Sequence, residues 1–416
     1  MSRTNLAFIG LDAGRFGGWL ARFPSAPVVV RDTLGLDLDN PCLEIPVRDG
    51  GSGTLDLLQE DRVLPFLNAH HVSHLVVFKP SHRVQVWAES QGLRLVGGDV
   101  SLAQRLENKV QFTQMAAEFG LPVPPTDILT APFPSWSDWV SQWGEQAVLQ
   151  RARGHSGQGT FLVHSPEILQ ELSAGSRRGK WRVSPFLDGS TWTCNGILAK
   201  EGTAQLGPLY QQRTGDPRCT PKSLGACGNL WSTRAVDPRL PEAVRSCVNF
   251  LRHVAYQGVF GLDILLPEDG SPARVIEVNP RLTSGFSMEA MIGAWDPSGD
   301  LIDGLLNMES GEEIEDISLP ASPIAAAQAV LYGSHDVEGP VETTIPSGRY
   351  TLNNGNPTHV DSCADLHRCQ AGEGIVLARS RGHRIGAHGE LARIQVWGEE
   401  SDLTDWLDWL RESVRV

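Results

Sequence analysis

The stretch Gly258–Arg281, GVFGLDILLPEDGSPARVIEVNPR, decides how the chain is read. Two apolar runs, GVFGLDILL and ARVIEV, flank the turn-forming segment EDGSP and read as two strands. Alternation in Val275-Ile276-Glu277-Val278-Asn279 puts Val275, Glu277 and Asn279 on one face and Ile276 and Val278 on the other. If the runs pair as a hairpin, Asp263 lies on the neighbouring strand and faces Glu277 and Asn279. Two carboxylates and an amide oxygen then converge. This hard-oxygen set suits Mg²⁺, with Mn²⁺ as the alternative. Arg281, just past Pro280, adds a fixed cation suited to an anionic substrate or transition state. A hairpin with solvated charged ends would explain Asp263 alone. It does not explain acid, amide, proline and guanidinium together at the end of an apolar strand.

The rest of the composition fits a soluble enzyme. The 416 residues allow two to four domains or subdomains. Hydrophobic residues make up 41% and charged residues 20%, the balance of a globular protein. A formal charge of −14 argues against a nucleic-acid partner, which would leave a basic footprint. No apolar run reaches bilayer-spanning length, and the glycine-rich stretch MSRTNLAFIGLDAGRFGGW is too weakly apolar for a signal peptide. The seven cysteines contain no CxxC pair and read as reduced thiols of a cytoplasmic protein. Cys363, His367 and Cys369 fit no usual zinc spacing.

Residues 1–100 alternate strand and helix signals, as in a doubly wound, Rossmann-like parallel sheet: Asn5–Gly10, Val28–Val30, His74–Phe78 and Leu93–Gly97 are the strands. Gly10, Gly14, Gly17 and Gly18 do not make the dinucleotide fingerprint G-x-G-x-x-G, so they read as a tight strand-to-helix turn. Ser101–Gly120 reads as one helix carrying Lys109 and closed by Gly120. In AVLQRARGHSGQGTFLV (Ala147–Val163), the glycines Gly154, Gly157 and Gly159 lie between two strands, with Ser156, Gln158 and Thr160 among them. Such a loop can turn its N–H groups onto a polyphosphate, although it is no Walker loop. Further strands are expected at Trp181–Leu187, Thr191–Leu198 and Ala204–Tyr210. Thr214–Trp231 reads as an irregular loop; Arg213 just before it and Arg218 and Lys222 within it could meet an anion or stay solvated. Pro238–Gln257 reads as an amphipathic helix, and breaks at Pro320 and Pro323 open a mostly β C-terminal segment. The helix that ends the chain, Asp402–Val414, carries a packing stripe of Leu403, Trp406, Leu407 and Leu410.

This order of parts is similar to the ATP-grasp superfamily of ADP-forming carboxylate–amine ligases. The resemblance rests on Asn108-Lys109, GLPVP, the GHSGQG flap, SPFLDG (Ser184–Gly189), FGLDILL and VIEVNPR, and covers about residues 1–310. It implies a preATP-grasp domain over 1–100, a first ATP-grasp lobe with the flap over 101–188 and a second lobe with the metal site over 189–312; the break at Pro320 and Pro323 sets off a small α/β subdomain over 320–416. It implies that ATP lies between the lobes. Lys109 and the position of Gln150 would face its phosphates, Gly154–Thr160 would close over them, and Pro185, Phe186 and Leu187 would meet the adenine. Asp263, Glu277 and Asn279 would hold Mg²⁺, and Arg281 would steady the acyl phosphate or oxyanion as the catalytic residue. The implied substrates are a small carboxylate and an amine, and a homodimer follows by analogy alone. Two positions depart from the pattern. Gln150 stands where a lysine is usual, with Arg151 and Arg153 beside it, and Ser184 stands where many members carry glutamate. Carboxyphosphate chemistry and non-catalytic nucleotide binding are the competing readings.

Overall fold

Five short strands, Cys42–Glu44, Val28–Asp32, Leu6–Asp12, His74–Val77 and Arg94–Val96, lie side by side in that order in a parallel sheet. Their near-continuous apolar runs are what a sheet covered on both faces requires. The structure, a computed structural model, describes residues 5–415 apart from 48–52, 99, 155–156, 158, 176–178, 294–299, 313, 315, 317–318, 334–338, 354 and 387. Chain order reverses between Leu6–Asp12 and His74–Val77, and doubly wound sheets place their crevice at such a switch. Gly10-Leu11, near the end of the first of these strands, and Phe78–Ser81, just after the second, line a large cleft.

The glycines after the first strand serve packing. A Cβ on Gly18 would sit 2.8 Å from the Ala290 backbone, and one on Gly14 2.8 Å from Leu377. Asp32, at the end of the second strand, accepts from the Ser380 hydroxyl at 2.6 Å and its backbone N–H at 3.2 Å. The C-terminal segment is thereby tied to the end of this strand.

Residues 100–120 form two helices, Val100–Glu107 and Lys109–Phe119, where one was expected. Asn108 breaks the run. Its extended backbone (φ −77°, ψ 107°) lets its side chain cap the second helix, accepting from the N–H groups of Val110 and Gln111 at 3.1 and 3.2 Å. Lys109 thereby becomes the first residue of a helix, with its own N–H on the Ala152 carbonyl at 2.8 Å.

A four-stranded antiparallel sheet follows, in the order Asp127–Thr130, Lys180–Pro185, Ala147–Arg151, Thr160–Val163. Its core is built from Trp139, Trp143, Leu149, Val163, Trp181 and Val183. The remaining strands form one large antiparallel sheet, from Arg274–Asn279 and Gly258–Pro267 through Gly189–Leu198, Tyr210–Thr214 and Ala226–Trp231 to Ala326–Tyr332, Glu390–Trp397, Glu373–Ala378, Gly348–Asn353 and Asn356–Asp361. The C-terminal strands thus continue the sheet that carries the hairpin.

Two expectations are corrected here. Ala226–Trp231 is a strand, paired on both sides, and only the residues before it are irregular. The strand expected over Ala204–Tyr210 stops at Leu206, because Gly207 turns its N–H to the Asn195 carbonyl at 2.8 Å and Pro208 has none to offer a ladder. The stripe on the Thr404–Ser413 helix packs into the core of the C-terminal strands.

Candidate active site

The hairpin forms, with Asp263 opposite Glu277 and Gly261 opposite Asn279. A bulge between Asp263 and Ile264 changes the faces read from simple alternation. Val275 joins Val278 in the core, whereas Ile276, Glu277 and Asn279 line the cleft. Val275 therefore does not share the face of Glu277.

Asp263 accepts from the Thr193 hydroxyl at 3.0 Å and from Asn279 Nδ2 at 3.1 Å, and Asn279 also reaches Glu277 at 3.4 Å. Lys109 Nζ pairs with Glu277. Burial raises the Asp263 carboxyl, and the facing Glu277 raises it further, to about 7. Burial pushes Glu277 the same way, but Lys109 and Arg182 outweigh it and hold Glu277 at about 2. The protein thus holds one ionised carboxylate against a second that resists ionisation. A cation between them would relieve that conflict. Two carboxylates and an amide fit Mg²⁺ completed by substrate phosphates, not an all-protein cage. Among the described residues no three His, Cys, Asp or Glu side chains cluster as metal ligands.

Arg281 is anchored on three sides, to Glu107 at 3.1 Å, to Asn279 Oδ1 at 3.0 Å and to the Leu282 carbonyl at 3.1 Å. Lys79 reaches the same Glu107 at 3.4 Å. Gln150 donates to the Thr160 hydroxyl at 3.1 Å and accepts from Arg182 Nε at 2.9 Å. Arg151, one of the two arginines expected beside Gln150, instead lies over the rings of Phe161 and Trp181. Gly157 and Gly159 take the left-handed conformation (φ +73° and +81°). Gly157 also packs on the loop before Ala226, where a Cβ would be 2.8 Å from Gly225 Cα. Ser156 and Gln158 lie outside the described residues. The Phe186 N–H bonds the Gln146 carbonyl at 3.0 Å.

One cleft of about 1500 Å³ gathers Lys109, Gln150, Gly154, Gly157, Gly159, Thr160, Pro185, Phe186, Leu187, Asp263, Glu277, Asn279 and Arg281. Of the loop cations considered from the sequence, Arg213 lines the cleft but pairs with Asp216 at 2.5 Å and Glu400 at 2.8 Å, and Arg218 pairs with Asp216 at 2.9 Å. Sequence reasoning missed Arg182, Thr193, Glu107 and Lys79. For Arg182 the signal was present: alternation in Trp181-Arg182-Val183-Ser184 sends Trp181 and Val183 to the core and Arg182 and Ser184 to the cleft.

No family model matches the chain, and no curated protein matches it. Solved structures do. The biotin carboxylase domain of Hydrogenobacter thermophilus 2-oxoglutarate carboxylase aligns at a TM-score of 0.63 and 13% identity, over 98% of this chain and 89% of that one. N5-carboxyaminoimidazole ribonucleotide synthetase in its ADP complex gives 0.62 and 12%, over 98% and 96%. Phosphoribosylamine–glycine ligase from Thermotoga maritima gives 0.60 and 14%, over 99% and 97%. The chain has the ATP-grasp fold. The alignments run nearly end to end, so the ATP-grasp likeness extends past residue 310 and takes in the C-terminal strands. Among the described residues no helix is long and apolar enough to cross a membrane.

Proposed function

We propose that the chain is an ATP-dependent carboxylate–amine ligase that forms an amide through an acyl phosphate and releases ADP and phosphate. The observation that carries this reading is the hairpin cluster, Asp263, Glu277 and Asn279, lying with Lys109 in one cleft beneath a glycine flap. The similar solved structures include complexes with ADP and MgADP. In the proposed reaction a substrate carboxylate oxygen attacks the γ-phosphorus of ATP and the bond to ADP breaks. The amine nitrogen then attacks the acyl carbon, loses a proton, and phosphate leaves.

Asp263, Glu277 and Asn279 would hold Mg²⁺, which offsets charge on the phosphate oxygens when bound. The chain's own work is positional. Lys109 comes from a helix N-terminus capped by Asn108 and meets the phosphates as a preset charge. Arg281, anchored by Glu107 and Asn279, sets a cation where charge grows on the acyl oxygen. The flap excludes water from the acyl phosphate.

A second reading is favoured by two of the similar structures, one a carboxylase domain in complex with bicarbonate and the other a carboxyaminoimidazole synthetase. In that reading bicarbonate takes the place of the carboxylate. The test offers purified protein, with MgATP, candidate acids and amines in pairs. ADP that appears only when both partners are present supports the ligase. ADP that requires bicarbonate supports the second reading.

A further inference from the structure

Arg182 sits in the Lys180–Pro185 strand and is 5% exposed, yet it forms part of the cleft wall beneath the flap. Its Nε and Nη2 both donate to Gln150 Oε1, and its Nη1 donates to the Ile276 carbonyl at 2.8 Å. All of these acceptors are neutral. Among the described residues no carboxylate lies within ion-pair distance of Arg182, because the nearby Glu277 is taken by Lys109. A guanidinium has five N–H donors. Three are engaged here, which leaves two. Glu277 acts on Arg182 through space but is paired with Lys109, so the buried guanidinium has only neutral hydrogen-bond partners, which is costly unless an anion completes it.

Gln150 explains how the cation is held. Its carbonyl oxygen grips the guanidinium, and its amide nitrogen donates to Thr160 at the base of the flap, so Arg182 is tied to the loop that would wrap a polyphosphate. Arg151 and Arg153 are both exposed, and Arg151 lies against two rings instead.

We infer that Arg182 binds the polyphosphate of the nucleotide, and that Gln150 positions it. The charge missing at Gln150 is thus supplied by the adjacent strand. The inference rests on the nucleotide reading proposed above.

The test measures affinity for ATP, ADP and adenosine by calorimetry and competition, with folding checked by thermal melting. Arg182→Met should weaken ATP and ADP by about 10- to 100-fold, the scale for losing hydrogen bonds to a charged group, and leave adenosine unchanged. The double variant Arg182→Met/Gln150→Lys should recover most of the loss. Gln150→Leu leaves the guanidinium present but unheld; it should cost a smaller factor, again on ATP and ADP only, and it carries the test if Arg182→Met does not fold. ATP affinity within about twofold of wild type in the variants that fold overturns the inference and leaves the nucleotide reading intact. Equal losses for adenosine and ATP do the same, because they mark a structural residue. A wild-type chain that binds none of the three overturns both.

Discussion

Replacing Glu277 by alanine separates what holds the hairpin together from what works in it. Glu277 pairs with Lys109 and stands opposite Asp263, and its side chain keeps 22% of its exposure against 8% for Lys109. Breaking a fully buried pair by removing one partner costs about 3–5 kcal/mol. Two features reduce that figure here. Solvent reaches Glu277, and Lys109 already acts on Asp263, which takes over as its acidic partner. Asp263 also loses a like charge that opposes its ionisation, and keeps its bonds from Thr193 and Asn279. The expected loss of stability is about 1–2 kcal/mol, or roughly 1–2 °C in melting temperature for a chain of 416 residues. ADP formation in the presence of acid and amine should fall far more, by at least about a hundredfold, the scale for losing one preorganised electrostatic contact at a reacting phosphoryl group. Circular dichroism melts and a coupled ADP assay read the two quantities separately. A well-folded Glu277→Ala variant that makes ADP at the wild-type rate refutes the role given to Glu277. A variant that does not fold makes the ion pair a structural contact and refutes the partition of energies.

Three further outcomes are expected. Glu289 is buried, and burial raises its carboxyl from 4.5 to about 8. The native state therefore keeps a proton that the unfolded state releases, so this group's stabilisation is complete below its unfolded value and is lost as pH rises through about 8. Glu289→Gln should flatten the fall of melting temperature across that window, and an unchanged profile would exclude Glu289 as its source. Gly157→Ala meets both a positive φ and the Gly225 backbone, so it should cost about 1–2 kcal/mol locally and raise KM for ATP, read by steady-state kinetics. Asn108→Ala removes the cap that starts the Lys109 helix; a loss of about 1 kcal/mol in urea unfolding is expected, with weaker ATP binding by calorimetry.

What the sequence made legible was local. Glu277 and Asn279 are two apart in one strand, and Asp263 pairs across a short turn, so alternation and turn chemistry brought them together. Val275 was misplaced because a bulge inserts one residue without marking it in the side-chain pattern. Asn108 was passed over because an asparagine within a helical pattern looks tolerable until its side chain is seen capping. Alternation marks Arg182 as facing away from the core, but its link to Gln150 depends on the pairing of their two strands, which distant residues set. The union of the C-terminal strands with the hairpin sheet is longer-range still: Ala226–Trp231 meets Ala326–Tyr332 across about a hundred residues. Ser156 and Gln158, read from the glycine pattern, lie outside the described residues.

In the proposed function the hairpin cluster binds nucleotide through a metal. Calorimetric titration of ATP into the wild-type chain and into Asp263→Asn/Glu277→Gln, with and without Mg²⁺, tests it most directly. The wild type should bind ATP in a Mg²⁺-dependent way, and the variant should lose that dependence. Equal ATP binding by both proteins, indifferent to Mg²⁺, would contradict it.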